Sequence, residues 1–343
     1  MSMEIYPVDF STRYEIKHAI SIIMSIYYNE IGKMIMVAPV NDYNIQALKV
    51  GNMLYDTARD ITFFIANVQT DTTLNRITAN GYTANWLLNR RCIASEYHMT
   101  NIESGVYDIV NANLRGMTRI QTAAVSGLTE STDNIFKGGL LLDEIMPFLE
   151  EKGLGNKMTW DPDNLTHEFK VYKGKDLTSG IHAIVFSEEQ GSAKDLVINE
   201  DDSTFKNVAY VTGLLKNETE FIEEIGTATG DDRREIWFDT AVFQEADESV
   251  EDCKARAKAY GQMELGKRII RQTFSVTIDP DDLGKYYNIG DIVSCVSVRF
   301  GVSFNARIKG IKYKLDNRET STEIILGEPI LTALGALKLN GNY

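Results

Sequence analysis

The stretch GDDRREIWFD, from Gly230 to Asp239, holds the densest group of residues that could do chemistry. Its charged members are Asp231, Asp232, Arg233, Arg234, Glu235 and Asp239. Two carboxylates can supply the acid and the base of glycoside hydrolysis, which gives one hypothesis for this chain. In an extended strand, however, Arg233, Glu235 and Trp237 share one face, and this alternation favours a polar turn with structural ion pairs. We therefore predict that the protein is not an enzyme, and we assign no catalytic residue.

Two other acidic segments match metal-binding loops only in part. DPDNLTHE, residues 161–168, lacks the glycine and the terminal glutamate of an EF-hand loop, so it predicts a hairpin turn. IDPDDLGKYY, residues 278–287, is also interpreted as a turn. The sequence contains no HExxH, P-loop, Rossmann or G-x-S-x-G motif. We predict that the chain holds no metal and no cofactor.

The cysteines and histidines are scattered along the chain, without metal-ligand spacing. The cysteines are Cys92, Cys253 and Cys295, and the histidines are His18, His98, His167 and His182. Because no CxxC pair occurs, we predict that the cysteines are buried free thiols. The aromatic pairs Tyr27-Tyr28 and Tyr286-Tyr287 could form a sugar or membrane platform, but packing in a core or an interface is the commoner arrangement.

The composition excludes several classes of protein. The chain has 343 residues, with 43% hydrophobic and 24% charged residues, which is typical of globular proteins with two or three domains. A net charge of −14 argues against sequence-specific binding of nucleic acid. No apolar run approaches the ~20 residues that cross a membrane, so we expect no stable membrane insertion. The first residues show no signal peptide, and we expect assembly in a cytoplasm.

A short phrase occurs near both ends of the chain, as LKVGNMLYD around Gly51 and as YYNIGDIVSC around Gly290. Each phrase has a glycine, then Asn or Asp, then an apolar run. Glycine tolerates a positive φ and turns the chain, and the residues that follow favour strands. Two further strands and polar turns follow in both places, with Ile65 and Ile308 at matching positions, and the segments end at Gly81 and Gly327. The repeat predicts two related, barrel-like β domains.

The segment between the repeats has helical patterns. Ser104–Gly116 predicts a short helix with Ser104 as its N-cap, and Gly139–Gly155 predicts an amphipathic helix that Pro147 could kink. Residues 157–174 predict a hairpin. Later, 203–214 and 233–240 predict strands, and 247–269 predicts a long helix capped by Ser249.

These patterns predict a β-rich α+β fold with two related barrel-like β domains and an α+β domain between them. The predicted ranges are 1–82 for the first β domain, 83–200 for the α+β domain, 201–330 for the second β domain with an inserted helix near 249–267, and 331–343 for a C-terminal tail.

The chain resembles the tail-associated, baseplate-hub proteins of long-tailed phages and prophages of Gram-positive hosts. The resemblance covers nearly the whole chain, in the order of its segments. These segments are YYNEIGKMIMVAP, LKVGNMLY, NGYTANWLLNRRCI, LLLDEIMPFLEEKGLGNKMTWD, STFKNVAYVTGL, GDDRREIWFDT and YNIGDIVSCVSVRFGVSFNARIKGIKYKLDNRETSTEIILGEP.

The resemblance implies a structural hub at the distal tip of a phage tail. Three copies would form a ring in which two related β domains per chain give six similar units, matching a six-fold tail ring. The homotrimer would join the tail tube to spike, fibre or receptor-binding components at the tail tip, and close the tube before DNA ejection. Many relatives continue into a peptidase, lysozyme or fibre region, whereas this sequence ends at Tyr343. We therefore expect wall cutting and host attachment to involve other chains.

Two alternatives remain open from the sequence. One is a hub that hydrolyses the cell wall with the acidic residues near 231–239. The other is the hub of a phage-derived contractile injection machine. The sequence does not identify the host, the receptor or the tail type.

Overall fold

The computed structural model describes residues 3–16, 19–268, 271–279, 281–316 and 320–327. Within these residues strands dominate and helices are few, so the predicted β-rich composition is confirmed. The strands are β1 (Met3–Tyr6), β2 (Tyr14–Ile16), β3 (Ser21–Tyr27), β4 (Lys33–Pro39), β5 (Met53–Asp56), β6 (Ile61–Asp71), β7 (Arg76–Thr83), β8 (Tyr97–Asn101), β9 (Ile120–Thr122), β10 (Ser131–Phe136), β11 (Gly155–Asp161), β12 (Thr166–Tyr172), β13 (Val185–Phe186), β14 (Lys194–Asp201), β15 (Val208–Leu214), β16 (Glu220–Ile225), β17 (Glu235–Phe243), β18 (Arg271–Ile278), β19 (Ile292–Ser297), β20 (Val302–Asp316) and β21 (Thr320–Leu326). The α-helices are α1 (Asp42–Ala47), α2 (Ile102–Asn113), α3 (Leu141–Glu151) and α4 (Val250–Gly266), and 3-10 helices cover Ala84–Arg90 and Gly230–Asp232.

One sheet of 13 strands holds both ends of the described chain. Its order is β14-β18-β21-β20-β3-β4-β7-β6-β5-β1-β2, with β19 beside β20 and β13 beside β19. The strands β20 and β3, which are far apart in sequence, pair antiparallel from Gly310 opposite Tyr27 to Asp316 opposite Ser21. The N-terminal and C-terminal β regions are therefore parts of one sheet.

The large sheet contains the same strand arrangement twice. We call β3, β4, β5, β6 and β7 module A, and β14, β18, β19, β20 and β21 module B. In each module the strands lie side by side in the order first, second, fifth, fourth, third. The register also corresponds, because buried Met34 of β4 pairs with Gly81 of β7, and buried Phe274 of β18 pairs with Leu326 of β21.

The turn before the third strand is hydrogen-bonded in the same way in both modules. Gly51 and Gly290 have φ angles of +90° and +96°, as glycine allows. Gly51 donates its N–H to the carbonyl of Ile65 at 2.7 Å, and Gly290 donates to that of Ile308 at 2.8 Å. In return, the N–H of Ile65 donates to the carbonyl of Asn52 at 2.9 Å, and the N–H of Ile308 donates to that of Asp291 at 2.8 Å. These bonds explain why the phrase occurs twice.

The fourth strand of each module has a β-bulge at the same place, directly after Ile65 in β6 and after Ile308 in β20. The predicted correspondence of these two isoleucines is thus confirmed. The predicted correspondence of the terminal glycines is wrong by one residue. Ile65 pairs with Gly81, whereas Ile308 pairs with Leu326, and Gly327 comes one residue later.

A second compact unit, Ile198–Thr273, begins within β14 and ends within β18, the first two strands of module B. It has a sheet in the order β16-β15-β17, with α4 packed against one face. Its core consists of Ala209, Val211, Phe221, Ile225, Val242, Cys253 and Ala257. The predicted cap of α4 is confirmed, since Ser249 Oγ accepts the N–H of Asp252 at 3.1 Å. The inserted element is therefore larger than the single helix that the sequence predicted.

The segment between the modules packs α2 and α3 with β9, β11 and β12 around an apolar core that includes Phe169. The hairpin predicted at 157–174 is confirmed as β11 and β12. The predicted N-cap of α2 is wrong, because Asn101 Oδ1 accepts the N–H of Ser104 at 3.0 Å and caps the helix three residues earlier. Pro147 lies inside α3, in the region predicted to be helical.

The chain divides by packing into a first unit, formed by residues up to Val197 and from Phe274 onward, and the second unit. Residues 201–330, predicted as one β domain, contribute to both units. The division at 82/83 and 200/201 and the barrel character of the β domains remain predictions. The tail predicted at 331–343 lies outside the described residues.

Candidate functional site

The acidic segment of the second unit is organised around Arg233. Its guanidinium donates to Glu224 at 2.8 Å, to the Tyr210 hydroxyl at 2.6 Å and to the carbonyl of Ala228 at 2.9 Å, and it also contacts Glu235. Both glutamate side chains are about half exposed, at 49% and 48%. Arg233 therefore forms ion pairs with two glutamates, one on β16 and one at the start of β17, as the ion-pair interpretation predicted.

The other charged residues of this segment do not join that cluster in the contacts described. Arg234 forms its own ion pair with Asp202 at 2.6 Å, and Asp231 and Asp232 lie exposed in the 3-10 helix Gly230–Asp232. Asp239 is exposed further along β17, with its carboxylate 3.4 Å from Thr212 Oγ1. Glu224 and Glu235 are thus bound to Arg233, and the remaining carboxylates of the segment are exposed.

We expect wild-type protein to release no muropeptides from purified cell wall. Asp232→Ala and Glu235→Ala are then expected to leave this result unchanged and to lower the melting temperature only slightly, because exposed ion pairs are weak. The measurement is chromatography of wall digests beside thermal unfolding of the three proteins. Muropeptide release by the wild type that either variant abolishes would contradict the structural interpretation.

The segment 161–168 contains the hairpin turn between β11, which ends at Asp161, and β12, which begins at Thr166. Asp161 Oδ1 accepts the N–H groups of Asp163 and Asn164 at 3.0 and 3.1 Å, so its carboxylate closes the turn. Among the described residues, no group of three or more histidine, cysteine or acidic side chains is placed to hold a metal ion. None of the helices in the described ranges is both long and apolar enough to cross a membrane.

The cysteines are free thiols, but they are not all buried as predicted. Cys253 and Cys295 are buried, whereas Cys92 is exposed. Burial raises the pKa of the Cys295 thiol to about 12. Burial also lowers the pKa of His167 to about 3, and its ring Nε2 lies 3.1 Å from Thr62 Oγ1. His167 is therefore a neutral core residue, and His18 lies outside the described residues.

Tyr28 joins the parts of the first unit, and its side chain is completely buried. The hydroxyl oxygen lies 3.1 Å from the carbonyl oxygens of both Gly153 and Tyr172, which share its single proton, and it accepts the N–H of Gly174 at 3.1 Å. Its backbone N–H donates to the carbonyl of Lys309 in β20 at 2.8 Å. One residue thus connects module A, module B and the segment between them. We call Tyr28 and its contacts the tyrosine junction.

Three glycines provide the space for the tyrosine junction. A side chain at Gly155 or Gly290 would overlap the ring of Tyr28, and one at Gly174 would overlap the carbonyl of Gly290. The ring of Tyr172 packs edge-on against Tyr28, with ring centroids 5.1 Å apart. The junction therefore depends on close backbone approach as well as on hydrogen bonds.

Asp291 fixes the loop after β12 to module B. Its buried carboxylate accepts the N–H of Lys175 at 2.7 Å and that of Asn288 at 2.8 Å. A cleft of about 840 Å³ opens beside this loop in the first unit, and Tyr172 and Tyr313 contribute to its lining. The hydrogen bonds of Tyr28 and Asp291 connect module A, module B and the segment between them.

The sequence indicated these residues only indirectly. Of the two aromatic pairs, Tyr28 and Tyr287 are buried, as core packing predicted, while Tyr286 is 53% exposed. The partners of Tyr28 are more than a hundred residues away along the chain, so spacing could not reveal them. The available signal was the second glycine phrase, because Gly290 lies against the Tyr28 ring.

Comparison with solved structures identifies the fold. A tail protein from Neisseria meningitidis MC58 matches with a TM-score of 0.54 and 13% identity, over 95% of this chain and 96% of that chain. Prophage tail protein gp18 from Listeria monocytogenes EGD-e matches with a TM-score of 0.53 and 16% identity, over 99% and 100%. The 43 kDa tail protein of prophage MuSo2 from Shewanella oneidensis matches with a TM-score of 0.54 and 12% identity, over 96% and 98%.

The sequence itself matches a protein family. No curated protein matches the chain. Residues 2–328 match the model of the family described as Siphovirus ReqiPepy6 Gp37-like protein, which covers nearly the whole chain. The chain shares the fold of the three tail proteins, and this match over nearly its whole length shows that it belongs to the Siphovirus ReqiPepy6 Gp37-like protein family.

Proposed function

We propose that the chain is a structural hub at the distal tip of a phage or prophage tail. The observation that carries this proposal is the repetition of one five-strand arrangement, modules A and B, within a single chain. A protein with two equivalent modules presents two similar surfaces to a ring of identical subunits. Three such chains present six, and this resolves the difference between a three-fold hub and a six-fold tail ring.

The proposed hub joins the ring of the tail tube on one side to spike, fibre or receptor-binding components on the other. It closes the tube until DNA ejection, and it is assembled in the cytoplasm of the bacterial host. Its action is mechanical rather than enzymatic, and the ion pairs of Arg233 with Glu224 and Glu235 support a structural role for the acidic segment. A host from the Gram-positive bacteria is part of the same proposal.

The test is the position and copy number of the chain in tail tips. We expect a cryo-EM map of isolated tails to contain three copies in one ring at the distal end, with six modules facing the tube. Light scattering of the purified chain at tens of micromolar is expected to detect the same homotrimer. A stable dimer in the virion, or a position along the tail shaft, would rule the hub out.

A further inference from the structure

The contact between modules A and B is directional. The fourth strand of module B, β20, pairs with the first strand of module A, β3. This contact is heterologous, because it joins the fourth strand of one module to the first strand of the other. The fourth strand of module A and the first strand of module B are therefore left without this contact. The fourth strand of module A is β6, and the first strand of module B is β14. Applying the same contact once more would pair β6 of one chain with β14 of a second copy.

The strand β6 has an open edge at the corresponding place. Residues 61–64 pair with β5, while β7 pairs with β6 on its other side through to Asp71. After the bulge, residues 67–71 have a β7 partner and no second strand within the described chain. In module B the matching residues 310–314 are paired on both sides, with β21 and with β3.

Burial differs between the two fourth strands in the way that a missing neighbour predicts. Ile311 and Tyr313 of β20 are 1% and 6% exposed. Val68 and Thr70, at the equivalent positions of β6, are half-buried and exposed. The segment 61–71 contains no proline, lysine or arginine, the residues that usually protect a free sheet edge against pairing.

The strand β14 offers the complementary edge. It is the terminal strand of the large sheet, and its described strand partner is β18. Its counterpart β3 has β4 on one side and β20 on the other, so the second position beside β14 is vacant in the sheet order. Val197 of β14 is 55% exposed, so this strand presents an apolar side chain that a neighbouring strand could cover.

We propose that residues 67–71 of β6 pair antiparallel with β14 of a second copy of this chain, reproducing the β20–β3 contact between copies. The sheet then continues from chain to chain, and a closed ring leaves no free edge. This inference rests on the ring of the proposed function and assigns the residues that close it. Main-chain hydrogen bonds supply the contact, as in other cases of strand addition.

The test uses the full-length chain with two matched lysine variants. Thr70→Lys places a charge on the proposed contact edge, while Thr72→Lys makes the same change in the adjacent hairpin turn, outside β6. We expect Thr70→Lys to weaken self-association by about tenfold or more in sedimentation, and Thr72→Lys by less than about twofold. Equal effects of the two variants would overturn the proposal.

Hydrogen exchange locates the contact independently of the tail. On association of the wild type, amides of residues 67–71 and of β14 are expected to become protected, while those of β4 and β7 stay unchanged. Association without this protection, or no association at tens of micromolar, would overturn the strand pairing. A tail tip that lacks the chain would instead overturn the proposed function, even where the purified chain shows the protection.

Discussion

Gly290→Ala is expected to reduce the free energy of unfolding of the first unit by about 2–5 kcal/mol, and Gly51→Ala by about 1–2 kcal/mol. Both glycines have a φ near +90°, so both variants impose the same backbone strain. They differ in what the new methyl group meets. At residue 290 it overlaps the buried ring of Tyr28, and at residue 51 it meets the side chain of Val8 at 2.9 Å.

The two sites therefore form a matched pair inside one chain. Val8 is 65% exposed and can move aside, whereas Tyr28 is held by three hydrogen bonds and is completely buried. Both variants lose the same free energy to backbone strain in the turn. The additional loss in Gly290→Ala therefore measures the contribution of close packing at the tyrosine junction. It is the comparison that the internal repeat makes available.

The measurement is urea denaturation followed by tryptophan fluorescence. The chain has three tryptophans, of which Trp86 and Trp160 lie in the first unit and Trp237 in the second. A Trp237→Phe background removes the signal of the second unit, and Trp237 is exposed enough to be replaced safely. Equal destabilisation by the two alanine variants would show that the junction does not depend on close approach to Tyr28.

The sequence predicted the parts of the repeat that are contiguous and missed those that are interrupted. The third, fourth and fifth strands of the two modules follow one another directly, so their turns and apolar residues could be compared. The first two strands of module B are separated by the second unit, and this insertion hides their correspondence with β3 and β4. Pairing of β20 with β3 was not predicted, because no local pattern specifies which strand completes a sheet edge.

Contacts between distant residues account for the remaining differences. Ser104 and Asn101 are both good N-cap residues, and only the structure shows which side chain accepts the bond. Cys92 is exposed although free cysteines are usually buried, since its position depends on how the segment after the 3-10 helix packs. The charged cluster at Arg233 was predicted correctly because its alternation is local.

A second large effect is expected at Glu103, a fully buried carboxylate in the first turn of α2. One oxygen accepts the N–H and the hydroxyl of Ser126, both at 2.7 Å, and the other accepts the N–H groups of Gly127 and Leu128 at 3.0 and 2.9 Å. Burial alone would raise the pKa of Glu103, but the bonds from Ser126, Leu128 and Gly127 outweigh it and lower the pKa. The carboxylate therefore holds the loop 126–128 against α2 in its ionised form.

Glu103→Gln is expected to reduce the free energy of unfolding by about 2–5 kcal/mol near pH 7. The glutamine amide has only one oxygen acceptor, so its NH2 group must face some of the N–H groups of residues 126–128, which then have no acceptor. Glu151→Gln is the control, because Glu151 is 68% exposed and the same change there is expected to cost no more than about 0.5 kcal/mol.

The pH dependence separates the charge of Glu103 from its shape. A carboxyl group whose pKa is lower in the folded state stabilises the fold fully above its unfolded pKa of about 4.3 and loses that contribution as the pH falls toward the folded value. The wild type is therefore expected to lose its advantage over Glu103→Gln progressively as the pH falls below about 5, whereas the difference stays constant from about pH 6 to pH 8. Other carboxyl groups titrate in both proteins and cancel in the difference. Urea denaturation in the same Trp237→Phe background measures this difference in the free energy of unfolding. A difference that does not change as the pH falls would mean that Glu103 is not bound as an anion.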